Sequence, residues 1–390
     1  MGKYIDKPVK VIRRIEMKIA IYSNTLDNGG ISKFVYNLQN AFSKCKISSH
    51  IVTFSADTIY GDNITLLHCN NHIERIKELS KFIKNQNIQA IISNTWFEGF
   101  IAKCAALRSG RKVKVISVVH IRPNLWGFKE NDLIRKNFAK ISLSVCSKVV
   151  AVSNELKDAM ISEKWVKENK ITTIYNPVIF DEVNNSKIKF KDIKNKDIIN
   201  IAVIGWIQPR KAQDIISKAF SGIEDRKYIL NFIGGIEDKN YYTNVIKIIE
   251  DNNLQDKVKF WGPRKDIFEI LKGMDILISA SRGEALPTVM IEALYSEVPM
   301  ISSDCDYGPK EILDNGEYGL IFKVDDYKGL AKCFNTLVND NNLYNDFLNK
   351  SKERSKLFTY DKCINLYLSI LNEEGEGKNK AINKCNSACL

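Results

Sequence analysis

Short apolar runs alternate along this chain with longer stretches whose apolar residues recur every three or four positions. Residues 18–24 (KIAIYSN), 50–56 (HIVTFSA), 89–94 (QAIISN) and 114–120 (KVISVVH) are short and continuously apolar, and read as buried strands. Helical spacing occupies the intervals, as in 31–44 (ISKFVYNLQNAFSK) and near 72–85. The alternation restarts at residue 200, where NIAVIGW, YILNFIGG, VKFWG and DILISA each end in a turn and lead into a helical stretch. Two such series predict an α/β protein of two Rossmann-like, doubly wound domains. Their facing sheets leave a cleft between the carboxyl ends of the strands.

Candidate chemistry clusters where predicted strands end. In 275–292 (DILISASRGEALPTVMIE) a strand gives way to the turn Ser281-Arg282-Gly283, and Pro287 opens a helix at its first position. Glu284 falls in the turn and Glu292 on the second helical turn, beside N–H groups that favour an anion, while either carboxylate can hold hydroxyls. An ordinary βα unit with surface acids would share that spacing. Gly29 and Gly30 follow the first strand and precede a helix, the geometry of a phosphate cradle or of a plain tight turn. His120, one of four histidines, closes a strand before a loop. Gly205 precedes the basic pair Arg210-Lys211, which is either an anion clamp or a solvated surface pair.

The 275–292 stretch resembles the E-x7-E signature of retaining glycosyltransferases of glycosyltransferase family 4, which have the GT-B fold. The likeness continues colinearly through 298–322 (VPMISSDCDYGPKEILDNGEYGLIF), with Gly308 to Glu311 (GPKE) in it, and spans about residues 17–371. The resemblance implies an acceptor-side domain at 17–178, a nucleotide-sugar-binding domain at 179–359 and a helix at 360–372 crossing back to the first domain; 1–16 is an extension and 373–390 a tail. It further implies that Glu284 holds the donor sugar and Glu292 the ribose, with His120 orienting the sugar. Gly29, Gly30, Gly205, Lys211, Leu286, Pro287 and Thr288 complete the implied donor site. The chain departs from the pattern at Trp206, where an Arg is usual, and at Ala212, where a Gly is usual; Arg210 is the candidate replacement for the missing guanidinium. No metal and no cofactor are implied, the nucleotide sugar (a UDP-sugar) being substrate. Asp304 and Asp306 have the Asp-x-Asp spacing of a donor-metal motif but fall in the sugar-facing loop.

Composition narrows the partners. The 390 residues are 44% hydrophobic and 27% charged, without the roughly 18-residue apolar run of a membrane span. Nine scattered cysteines form no CxxC pair and suit a reduced cytosol. The net charge of +12 is uneven: residues 1–178 carry 28 Lys and Arg against 14 Asp and Glu, or +14, and the remainder carries −2. With the basic amphipathic stretch 131–147 (Arg135, Lys136, Lys140), that surplus makes an anionic membrane surface a candidate partner, and solubility alone the other reading. No aromatic–basic motif accompanies it, so nucleic acid is excluded.

The expectation is a retaining, metal-independent hexosyltransferase, cytoplasmic and peripheral on the inner face of the membrane. It would move sugar from a nucleotide diphosphate to a lipid-linked or surface-polysaccharide glycan. A catalytically silent glycosyltransferase-like subunit and a GT-B nucleotide-sugar epimerase are the alternatives.

Overall fold

Seven strands, β1 (Ile19–Tyr22), β2 (Ser49–Thr53), β3 (Ile64–Leu66), β4 (Ala90–Ser93), β5 (Lys114–Val119), β6 (Lys148–Ala151) and β7 (Ile171–Thr173), form a parallel sheet ordered β3-β2-β1-β4-β5-β6-β7. The computed structural model that shows this describes residues 17–26, 29–56, 63–121, 132–178, 193–223 and 227–373. A second parallel sheet repeats the order with six strands. These are β8 (Ile199–Ile204), β9 (Tyr228–Ile233), β10 (Val258–Gly262), β11 (Ile276–Ser279), β12 (Met300–Ser303) and β13 (Leu320–Phe322), arranged β10-β9-β8-β11-β12-β13. Every residue of β1 and β4 is buried, because helices cover a parallel sheet on both faces; this is why these strands read as continuous apolar runs. The two-domain, doubly wound architecture is as expected.

In each sheet the strand order reverses beside the first strand, between β1 and β4 and between β8 and β11. Helices diverge to opposite faces at such a point and leave a crevice at the strands' carboxyl ends. The sequence fixes where the flanking helices begin. Thr95 accepts the N–H of Glu98 at 3.1 Å, Ser153 that of Leu156 at 3.3 Å, and Asp238 that of Tyr241 at 2.9 Å, each satisfying a donor that the helix leaves free. Pro287 differs from expectation by one place. Its extended ψ of 98° makes it the cap, and the helix is Thr288–Tyr295.

The domains share packing. The helix Tyr360–Asn372 lies on the first-domain helix Gly30–Lys44, with the rings of Phe42 and Tyr367 6.3 Å apart, and Lys114 donates to the Leu371 carbonyl at 2.6 Å. One apolar cluster runs through Leu38, Phe42, Ile364 and Tyr367 into Leu286 and Met290 of the second domain. Within the amphipathic stretch 131–147 the helix is Leu133–Val145; residue 131 lies outside the described residues.

Candidate active site

The second-domain half of the site begins where β11 ends. The Glu284 carboxylate, its side chain 9% exposed, receives the Lys211 ammonium at 2.5 Å on one oxygen and the Arg210 guanidinium at 3.1 Å on the other. Ser281 adds its hydroxyl at 2.7 Å. Burial alone would raise the pKa of Glu284, but Lys211, then Arg210, outweigh it and hold the group below the ordinary glutamate value. Glu284 is therefore ionised, and two cations on one carboxylate leave a net positive charge at the β8/β11 crevice. Arg210 also donates to the Gly283 carbonyl at 3.1 Å, so both members of the basic pair face this turn.

Glycines let these loops meet. Gly205, at φ +151°, lies under the Lys211 stem, where a Cβ would come within 3.0 Å of Lys211 Cε. Gly234, at φ +154°, lies against Gly205 so closely that a Cβ would stand 2.1 Å from its carbonyl oxygen. A Cβ on Gly235 would reach 2.4 Å from the Trp206 ring, so the indole covers that glycine. Arg282 ties the turn down through Asp214 at 2.9 Å and Asp325 at 2.7 Å.

Leu286 and Pro287 are buried, and Thr288 starts the helix that carries Glu292. Glu292 is 2% exposed. One of its oxygens takes the ammonium of Lys33, which comes from the first domain, and Oε2 has no hydrogen-bond partner among the described residues. The domains meet again at the Gly308–Glu311 loop. Glu311 accepts the Asn154 N–H at 2.8 Å and the Tyr175 hydroxyl at 2.5 Å, while the Gly308 N–H donates to Glu155 at 3.0 Å. The carboxylate thus lies at the N-terminus of the helix Asn154–Ser162, where the helix dipole favours it.

In the first domain, Gly29 caps the helix that Gly30 begins; a Cβ on Gly30 would meet nothing within 4 Å among the described residues. His120 follows β5, its ring edge-on to Phe34 with centroids 4.5 Å apart and Nε2 3.2 Å from Asn94 Oδ1. Burial pushes its pKa down to about 3, so the imidazole is neutral. Sequence reasoning missed what holds Asn94. Glu98, buried, accepts the N–H groups of Asn24 at 2.7 Å and Asn94 at 2.9 Å, which joins the ends of β1 and β4. Burial lifts its pKa to about 7 against the pull of those N–H groups and Arg75. The signal was available as Thr95-x-x-Glu98, a capping-box spacing, but here the glutamate passes over the cap to reach the crevice loops.

The structure gathers the candidates Glu284, Arg210 and Lys211 into one cluster; one cavity of about 550 Å³ between the domains is lined by the candidates Gly29 and Gly205 together with Lys33, Trp206, Gly234 and Arg264. His120 belongs to the opposite, first-domain side, with Asn94.

Residues 28–182 match the family model described as Glycosyltransferase Family 4, and residues 184–354 that described as Glycosyl transferases group 1. A Campylobacter jejuni GalNAc-alpha-(1->4)-GalNAc-alpha-(1->3)-diNAcBac-PP-undecaprenol alpha-1,4-N-acetyl-D-galactosaminyltransferase is 24% identical over 92% of this chain and 99% of its own length. The capsular polysaccharide biosynthesis glycosyltransferase CapM of Staphylococcus aureus is 24% identical over 73% of this chain and 78% of its own. Among solved structures, Anabaena Alr3699/HepE in complex with UDP and glucose superposes with a TM-score of 0.73 at 17% identity, covering 91% of this chain and 99% of that one. The fold is that of the GT-B glycosyltransferases.

Proposed function

We propose that this chain, a Family 4 domain followed by a group 1 domain, is a retaining glycosyltransferase that moves a hexose-type sugar from UDP to a hydroxyl of a lipid-linked or surface-polysaccharide glycan. The observation that carries this reading is the convergence of Lys211, Arg210 and Ser281 on an ionised Glu284 at the crevice of the second sheet. A carboxylate so fixed can hold sugar hydroxyls, and the surplus positive charge beside it can stabilise a departing diphosphate. Support for the donor and acceptor classes comes from a fold neighbour crystallised with UDP and glucose, and from relatives named for undecaprenol-linked and capsular glycans.

In the proposed reaction the acceptor oxygen bonds to the anomeric carbon as the bond from that carbon to the diphosphate oxygen breaks. The acceptor proton passes to the departing phosphate, on the same face of the sugar. Neutral His120 orients the sugar as a hydrogen-bonding group and carries no charge. Lys211 and Arg210 do the electrostatic work, so no metal is required.

Donor hydrolysis is the direct test. Purified protein with a panel of UDP-sugars and no acceptor should release UDP slowly from one of them, and that sugar should raise the melting temperature. Binding without release, with or without glycan acceptors, would favour the silent subunit. Conversion of the sugar without UDP release would favour an epimerase.

A further inference from the structure

We propose that Lys33 is a donor-binding residue that changes partners: it holds Glu292 in the donor-free protein and passes to the donor diphosphate when the ribose takes Glu292. This rests on the donor-site reading above. Lys33 stands on the first turn of the first-domain helix Gly30–Lys44, yet its ammonium lies on Glu292 of the second domain, across the cleft. Glu292 is almost wholly buried and its Oε2 has no hydrogen-bond partner among the described residues. A buried carboxylate left in that state is under-satisfied, and its stable complement offers two donors, one for each oxygen. The vicinal hydroxyls of a ribose do so; the single ammonium does not.

Once the hydroxyls occupy the carboxylate, Lys33 loses its place. Its side chain is 43% exposed, so it moves without a large change in solvation, and it already lines the cavity that Gly29, Gly205 and Trp206 share. A nucleoside diphosphate brings two or more negative charges into this cavity. Of the basic groups on the cavity wall, Arg264 is paired with Asp266 at 2.5 Å; Lys211 and Arg210, next to the lining residue Gly205, are divided over Glu284 and supply one net positive charge; and the indole of Trp206 supplies none. Lys33 is the cation that the exchange itself frees, on the opposite wall. Donor entry therefore trades an ion pair between the domains for a phosphate contact between the domains, which keeps the cleft closed over the donor.

The test compares a nucleoside with its diphosphate on the full chain, by calorimetry with uridine and UDP. Lys33→Met should weaken UDP binding by about tenfold or more, the loss expected of one charge-assisted hydrogen bond. Uridine binding should hold or tighten, because Glu292 no longer has a competitor. Lys33→Arg should keep UDP affinity within about threefold. Equal losses for uridine and UDP would mean that Lys33 only packs the domains together, and would overturn the inference. So would UDP affinity unchanged in Lys33→Met. If the wild type binds none of UDP, GDP and ADP, the donor-site reading itself fails, and this inference falls with it.

Discussion

At the scale of single residues, Glu284 carries the strongest expectation. Glu284→Gln keeps the size of the side chain but removes the charge that Lys211 and Arg210 share. The variant should fold and bind UDP, yet lose more than tenfold in turnover measured at saturating donor; turnover within about threefold of wild type would remove Glu284 from the sugar site. Glu98 and His120 titrate in opposite senses. Folded Glu98 binds its proton more tightly than the unfolded chain does, so its contribution to stability is full below pH 4.5 and is lost as pH rises to about 7. Folded His120 binds its proton more weakly, so its contribution is full above pH 6.5 and is lost as pH falls toward 3. Denaturation series should therefore show wild type losing ground to Glu98→Gln, by up to about 1.4 kcal/mol per pH unit, between pH 5 and 6.5. Against His120→Gln, wild type should gain over the same interval. Parallel curves would mean that neither group is perturbed. The sequence placed Glu284, Lys211 and His120 at strand ends because apolar runs stop there. It could not show that Asn94 holds His120 or that Glu98 holds Asn94, since those contacts depend on β1, β4 and β5 lying side by side.

At the scale of elements, two glycines that read alike in the sequence separate. A Cβ on Gly234 would collide with the Gly205 carbonyl at 2.1 Å, in a backbone conformation that side chains avoid. Gly234→Ala should lower the melting temperature by several degrees, a cost on the order of 1–3 kcal/mol. A Cβ on Gly30 meets nothing within 4 Å among the described residues, and Gly30 begins a helix, where alanine is the better former. Gly30→Ala should melt no lower than wild type; if the diphosphate approaches this backbone, UDP affinity should fall all the same. Unchanged affinity would make Gly30 a plain helix start. Strands and helices were legible because each is encoded locally, by run length, spacing and cap. The ties between elements were not: Arg282 and Asp214 are 68 positions apart in the chain, and Glu311 reaches Asn154 across 157. Glu311 looked like part of a sugar-facing loop, and only the facing of the two sheets reveals it at a helix start of the other domain.

At the scale of the whole molecule, the charge division acquires a structural partner. The first 178 residues carry +14, and the helix Leu133–Val145 in that domain exposes Ile134 at 85%, Leu133 at 68% and Ile141 at 55%. The basic residues there are less free than their spacing suggested. Arg135 is 3.4 Å from Asp132, and the Lys140 ammonium sits 5.1 Å over the Trp165 ring. No helix among the described residues is long and apolar enough to cross a membrane. A basic helix that exposes isoleucines is suited to lie at a bilayer interface, and vesicle binding tests that. Insertion of isoleucines and attraction of the basic surface then act together. The first is worth on the order of 1.5–3 kcal/mol per buried side chain and the second about 1 kcal/mol per basic residue near an anionic leaflet. Co-sedimentation with phosphatidylglycerol vesicles should therefore weaken in the double variant Ile134→Glu/Ile141→Glu more than in Arg135→Gln/Lys136→Gln/Lys140→Gln. Salt should weaken it in wild type, because the field of the whole basic domain fades over a Debye length of about 10 Å at 0.1 M. UDP binding should be unchanged in both variants, since the cavity is lined from other elements. Wild-type protein that ignores these vesicles at low salt would detach the basic surplus from membranes and make a soluble glycan the acceptor to pursue.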